Sequence, residues 1–319
     1  MPQPTRSDVH VNKPLTNLSI AYIQKAEDFI ADKVFPLVPV MKQSDRYFVY
    51  SKDYWFRTAS QKRAPASESA GSGFKIDNTP TYFADVWAVH QDVDDQTRQN
   101  ADNPLDMDRD ATLFVTQQQL LRREIQFMSQ YMKAGIWNSG LGDFTPAVSW
   151  LSDLSNPIQD IDNEKTAIKQ KTGFMPNTLV VSTDVFFRLR NHPVILDRIK
   201  YTQRGIISED LLATLFGVEK FLVASAVLNS AQENTAGSYG YLMQNSCLLV
   251  YSNKAPSILQ PSGGYIFAWQ GLFGAGAAGG RISSFRMEHL KADRIEGEMA
   301  FDMKQVGSDL GMYFQAPLF

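Results

Sequence analysis

The residues whose types and spacing could do chemistry are few and scattered. Gly274-Ala-Gly276-Ala-Ala-Gly279 has the glycine spacing of a dinucleotide fingerprint, but that motif works only between a strand and a helix in a βαβ frame. A strand-like alternation follows it instead, so residues 271–280 are expected to form a flexible hinge. The histidines His10, His90, His192 and His289 lie at no ligand spacing, and no HExxH occurs. Asp92, Asp94 and Asp95 resemble half a calcium loop without its glycine and distal glutamate. They are read as a solvated turn. Cys247, the only cysteine, sits in an apolar run with no basic neighbour. No Gly-x-Ser-x-Gly elbow or P-loop lysine is present, and nothing singles out one carboxylate pair among 34 acids. The expectation is no enzyme, with no catalytic, cofactor-binding or metal residues.

The elements explain more than the motifs do. Residues 103–137 are expected to form one helix of roughly 30 residues, about 45 Å long. Asn103-Pro104 would open it, and Asp106, Asp108 and Asp110 favour its N-terminus. Leu113, Leu120, Leu121, Ile125, Met128, Met132 and Ile136 recur mostly at three- and four-residue steps. They draw one apolar stripe, with Gln117, Gln118, Arg122, Arg123 and Gln130 largely opposite. The stripe needs a sheet or other helices laid along it.

Before that helix, residues 46–57 (RYFVYSKDYWFR) and 81–93 (TYFADVWAVHQDV) are rich in strand-forming aromatics. Residues 60–78 between them are small and polar. The simplest picture is a long two-stranded hairpin with a mobile tip. Such a ribbon is marginal alone, so one carrying Tyr54, Trp55 and Phe56 should lie on its own body or on another subunit. Residues 1–18 look extended. Residues 19–34 suit an amphipathic helix with Ile20, Ile23, Ile30 and Val34 on one face. It either docks on its own domain, the reading favoured by how ordinary such helices are, or reaches a neighbour.

After the helix, elements alternate. Helices are expected at 156–171, 183–190 (ended by Pro193) and 208–216, and strands at 177–182, 218–228 and 247–252, with a loop at 230–240. Residues 281–306 read as long strands with Gly297 as a bulge or bend, returning to give the long helix its sheet. His289 and Glu288 would point to opposite faces of such a strand. The class is α+β.

The chain has 319 residues, 44% of them hydrophobic, enough for a sizeable core. A net charge of -3 gives no strong basic face for nucleic acid. No run is long enough for a membrane span, and residues 1–14 lack the apolar core of a signal peptide. A soluble cytoplasmic protein is the default.

Taken in order, these pieces resemble the tailed-phage major capsid proteins of the Hong Kong 97-like fold. Ala26-Glu27-Asp28-Phe29-Ile30 with Val34-Phe35-Pro36-Leu37-Val38-Pro39-Val40 looks like the family's arm entering the shell body. Arg63-Ala64-Pro65 with Glu68-Ser69 looks like the tip of its extended loop. Leu179-Val-Val-Ser182 before a short helix looks like its axial domain, and residues 294–301 with Gly311 look like its last peripheral-domain strands. The resemblance implies an N-terminal arm (1–45), an extended-loop hairpin (46–93), a peripheral domain with a spine helix (94–149), an axial domain (150–270) and returning peripheral strands (271–319). It implies hexamers and pentamers closing an icosahedral shell around double-stranded DNA without sequence-specific binding. A scaffolding protein, separate or already cleaved away, a portal and a decoration protein are the expected partners. The place is the virion capsid, after assembly in the host cytoplasm, with no membrane. Expected intersubunit contacts are Tyr54, Trp55, Phe56, Arg57, Arg63, Glu68, Ile23 and Ile30. An encapsulin-type nanocompartment shell, or an enzyme with an unrecognised site, are the alternatives.

Overall fold

The computed structural model describes residues 24–50, 52–101, 105–137, 142–200, 207–254, 260–273 and 279–319. The architecture is α+β and rests on two sheets. The first has five strands: β1 (Leu37–Val40), β12 (Gly264–Trp269), β14 (Ala292–Gln305) and β13 (Gly280–Met287) in that order, with β6 (Asp85–Asp94) also on β14. The second has four, in the order β15 (Gly311–Gln315), β11 (Ser246–Val250), β7 (Thr178–Ser182), β8 (Lys220–Ala224). Three two-stranded ribbons remain: β2 (Ser44–Arg46) with β5 (Thr81–Phe83), β3 (Val49–Tyr50) with β4 (Ile76–Asp77), and β9 (Val227–Asn229) with β10 (Tyr239–Tyr241).

The second sheet lies between two cores. On one face Leu179, Val181, Cys247, Leu249, Met312 and Phe314 join the cluster of Trp150, Ile161, Ile168, Leu189 and Phe216. On the other, Val180, Leu248, Val250 and Tyr313 join Phe35, Phe127, Trp137 and Phe301. Burial on both faces explains why 179–181 and 247–250 read as unbroken apolar runs rather than alternating ones. The final strand β15 crosses into this sheet, whereas β12 pairs β14 in the first.

Helices form largely where their caps predict. The helical turns are α1 (Ala31–Val34), α2 (Lys52–Trp55) and α9 (Gln270–Phe273). The longer helices are α3 (Asp95–Asn100), α4 (Met107–Tyr131), α5 (Pro157–Thr172), α6 (Thr183–Arg190), α7 (Pro193–Ile199) and α8 (Glu209–Phe216). Asn156 caps α5, Pro157 begins it and Gly173 ends it at φ 80°. Ser208 and Gly217 do the same for α8. Pro193 does not merely stop α6; it opens α7, where a missing N–H costs nothing. The single strand expected at 218–228 is two, β8 and β9, in different sheets, and the strand Tyr239–Tyr241 overlaps the end of the expected loop.

The long helix is shorter than expected. It has 25 residues, capped by the Asp106 carboxylate on the Arg109 N–H at 3.1 Å. It stops at Tyr131, and Gly135 turns the chain at φ 82°. Trp137 folds back, its Nε1 donating to the Tyr131 carbonyl at 2.7 Å and satisfying one of the open carbonyls of the last turn. Residues 103 and 104 lie outside the described residues. The buried face is Ala111, Val115, Glu124, Phe127, Met128 and Tyr131. Of the expected stripe only Met128 is buried, while Leu113 is 41% exposed.

Gly297 supplies the reason. It holds regular register with Ile282 and Val89, so it makes no bulge. A Cβ there would lie 2.3 Å from Val115 Cγ1 and 2.5 Å from Gln119 Nε2. The glycine permits close approach of α4 to the sheet, and Val115 takes the place that a leucine stripe would need. Arg122, expected on the solvent side, stacks 3.7 Å over the Trp87 ring.

The expected hairpin is also rearranged. Only 44–50 and 76–83 pair across it, through β2–β5 and β3–β4. Residues 52–55 form α2, not strand. The return segment instead pairs with β14 over ten residues, from Asp85↔Phe301 to Asp94↔Ala292. The N-terminal segment is not one helix. A 3-10 turn at Ala26–Asp28 and α1 are separated by Phe29 and Ile30, both buried. Residues 1–23, with the expected extended arm and Ile23, lie outside the described residues.

Candidate assembly surfaces

From Lys52 to Thr79 no residue is buried. The root of this loop is nonetheless fixed. Lys52 and Lys171 both hold Asp309, Lys171 at 3.0 Å. Burial pushes the Asp309 carboxyl up, but the two ammonium groups outweigh it and hold it below the usual carboxylate range. Phe56 covers the C-terminal turn of α5, its ring 3.2 Å from where a Cβ on Gly173 would stand.

Above the root, Trp55 and Phe74 pack at 5.5 Å between ring centroids, and Tyr50 meets Trp55 at 6.5 Å and Phe74 at 6.0 Å. This clasp joins the two legs of the loop. It remains largely open to solvent: Trp55 is 58%, Phe56 60% and Phe74 58% exposed. Tyr54 and Phe48, near it in sequence, are also exposed. Beyond the clasp, the bonds found among the described residues are local. Ser67 Oγ donates to the Ala64 carbonyl at 2.8 Å, and Arg63 Nε donates to the Ser67 carbonyl. Arg57, Arg63 and Glu68 are exposed.

The structure thus brings Tyr54, Trp55, Phe56 and Arg57 to one root and leaves Arg63 and Glu68 on the outer loop. Ile30 belongs to neither. It is 1% exposed inside its own subunit, so its side chain is not presented to a neighbour. Sequence reasoning missed Tyr50, Phe74, Lys171 and Asp309. Phe74 stands in a glycine- and serine-rich stretch, and Asp309 is 257 positions from Lys52, so no local pattern could have joined them.

Further large apolar side chains face outward. Val148, Leu151 and Leu154 before α5, Phe187 on α6 and Leu196 on α7 are exposed, Leu154 at 91%. Tyr239 and Tyr241 stand out on the β9–β10 ribbon. At the far end of the first sheet a network of ion pairs holds elements together. Arg286 takes Asp95 in a two-bond fork at 2.7 and 2.6 Å, Arg294 takes Asp92 at 2.7 and 2.8 Å, and Arg98 bridges Asp108 and Asp293 at 2.6 and 2.7 Å. Hydrogen bonds from these arginines hold Asp92, Asp95 and Asp293 below the usual carboxylate range. Asp94 caps α3 through the Thr97 N–H at 2.8 Å. The aspartate cluster read as a solvated turn is therefore built into the fold. Glu288 and His289 lie in the β13–β14 turn rather than in a strand.

His192 Nε2 lies 3.0 Å from Ser155 Oγ. Both residues are sealed from solvent, at 0% and 3% exposure, so no substrate reaches them. Burial pushes the Cys247 thiol up, away from the reactive thiolate. Among the described residues no three His, Cys, Asp or Glu side chains are grouped to hold a metal ion, and no helix is long and apolar enough to cross a membrane.

No family model matches the sequence. The chain is 24% identical over 307 residues to the major capsid protein of Burkholderia phage BcepMu, with 94% of each chain covered. It shares its fold with a phage-related protein from Bordetella bronchiseptica RB50, at a TM-score of 0.71 and 19% identity over 92% of this chain and 94% of that one. It also shares the fold of the capsid of cyanophage P-SCSP1u, at a TM-score of 0.60 and 8% identity over 97% and 93%. By its fold, and by a sequence likeness running nearly the whole length of both chains, the chain is a shell-forming major capsid protein of the tailed-phage type.

Proposed function

We propose that the chain assembles as hexamers and pentamers into an icosahedral shell of the Hong Kong 97 type that encloses double-stranded DNA. The observation that carries this reading is the loop at 52–79, which has no buried residue of its own yet presents Tyr54, Trp55 and Phe56 on a fixed root. A segment with no fully buried residue in its own subunit gains much of its ordering energy elsewhere, and exposed clustered aromatics favour interfaces. The neighbour's surface is that place. Arg57, Arg63 and Glu68 would add charged contacts, and the exposed Leu151, Leu154 and Phe187 would meet their copies where subunits converge. Scaffolding, portal and decoration proteins are the expected partners, and assembly takes place in the host cytoplasm. The ion-paired acids and a net charge of -3 suit a wall that does not grip DNA.

Deleting residues 58–73 tests the reading. The deletion removes no buried side chain, so the subunit should keep its circular dichroism and melting temperature and fail to close shells. Closed shells of normal size from the deleted chain would refute it.

A further inference from the structure

The least expected group in the molecule is Glu124, in the middle of α4. Its residue is 0% exposed. One carboxyl oxygen accepts the backbone N–H groups of Ile30 and Ala31, at 3.0 and 2.9 Å. The other oxygen is buried and finds no hydrogen-bond partner. A buried carboxyl satisfied on one side only strongly disfavours its charge. Those two N–H groups open α1, so the carboxyl joins the N-terminal segment to the long helix. Ile30 and Ala31, whose N–H groups it holds, belong with Phe127 and Phe301 to one apolar cluster. The charges that bear on it come from α1: Asp32, which opposes ionisation, and Lys33, which favours it. On its own helix Arg123 is engaged by Asp32 at 2.6 Å and does not neutralise it.

We infer that Glu124 is a proton-coupled latch that docks the N-terminal segment 24–34 on α4, tight when the carboxyl is neutral and looser when it is charged. A neutral carboxyl still offers its carbonyl oxygen to both N–H groups, and it removes the cost of a buried charge. The rest of the segment is held by bonds that do not involve Glu124. Gln24 clips the Val227 backbone, with its amide nitrogen at 2.7 Å from the carbonyl and its amide oxygen at 2.9 Å from the N–H, and Ser225 donates to Asp28 at 2.7 Å. Loosening at Ile30 and Ala31 therefore changes the grip without unfolding the subunit. The latch sits between the Gln24 and Asp28 contacts and the body of α4, so it sets the local grip at Ile30 and Ala31. The inference rests on the subunit fold and not on the shell reading.

The sign follows from linkage. Burial pushes the docked carboxyl up to about 7, above its ordinary 4.5. The docked state therefore binds the proton more tightly, and docking is strongest at low pH. It weakens as pH rises between those values and levels off above them. For these values the docking constant falls about tenfold between pH 6 and pH 8.

Hydrogen exchange at the Ile30 and Ala31 amides in the full chain reads this directly, in wild type and in Glu124→Gln, corrected for intrinsic exchange. The expected result is wild-type protection falling about tenfold from pH 6 to 8. Glu124→Gln should show no such fall and should be better protected than wild type at pH 8. Flat wild-type protection, or parallel slopes in the two proteins, overturns the latch. Should the glutamine variant not fold, carbon NMR of glutamate-labelled wild type decides. A carboxyl resonance, absent from Glu124→Asp, with a midpoint near 7 supports the latch. A Glu124 midpoint in the ordinary glutamate range overturns it.

Discussion

Gly297→Ala isolates the contact on which the seat of the long helix depends. The backbone at Gly297 is in regular strand register, so alanine meets no conformational penalty and the cost is steric. Its Cβ would start 2.3 Å from Val115 Cγ1, whereas carbon atoms pack at about 3.5–4.0 Å. The shortfall exceeds 1 Å. Gln119 can swing aside, but Val115 is β-branched and held near one rotamer in a helix. The helix must therefore lift off the sheet. A gap of about 0.5–1 Å forfeits a quarter to a half of each dispersion contact along the seam. Overpacking of this kind costs about 1–3 kcal/mol, offset by about 0.4–1 kcal/mol from the stiffer unfolded chain. The net loss should be about 1–2 kcal/mol, readable as a drop of a few degrees in the melting temperature of dissociated subunits at about 2–4 °C per kcal/mol. Val115→Ala in the same chain should relieve the clash. The double variant would then be more stable than the two single losses added together, by about 0.5 kcal/mol or more. Wild-type melting of Gly297→Ala, or simple additivity with Val115→Ala, would refute the close-approach argument.

The other predictions follow from burial and charge. Ile30→Asp places a carboxylate at a site 1% exposed, beside Glu124, and should cost several kcal/mol; loss of soluble folded subunit is expected, and a folded subunit that merely fails to assemble would show that Ile30 faces outward. Asp309→Asn removes the shared partner of Lys52 and Lys171. Because those pairs are partly solvated, subunit stability should fall by no more than about 1 kcal/mol, while amide exchange at 52–56 accelerates; unchanged exchange there would mean the pairs do not fix the root. The folded Asp309 carboxyl lies below its ordinary 3.8, so the tie is complete above that value and is lost as pH falls through the lowered one. The same exchange acceleration should therefore appear in wild type on acidification and be absent from Asp309→Asn.

What was legible in the sequence was what local chemistry decides. Asn156-Pro157 with Gly173, and Ser208 with Gly217, bounded α5 and α8 because caps and left-handed glycines act within a few residues. The strand at 178–182 was legible because burial on both faces leaves an unbroken apolar run. The failures came from partners far along the chain. The stripe on α4 was misplaced because Gly297, not the helix, decides which side chains approach the sheet. The hairpin was overextended because β6 pairs β14, some 200 positions away, in place of the aromatic strand before it. Residues 19–34 read as a helix from periodicity alone. The described part follows the core instead, with Glu124 supplying the bonds that a continuous helix would have made internally. Of the loop contacts, the aromatics 54–56 were legible by type, but the clasp with Phe74 and the tie to Asp309 exist only in three dimensions.

The most direct test of the account is cryo-electron microscopy of the purified full chain, produced alone and beside a candidate scaffolding protein. The account predicts closed shells, tubes or capsomer rings in which the loop at 52–79 lies on a neighbouring subunit. Particles in which that loop folds back on its own subunit, or a chain that stays monomeric under both conditions, would contradict it.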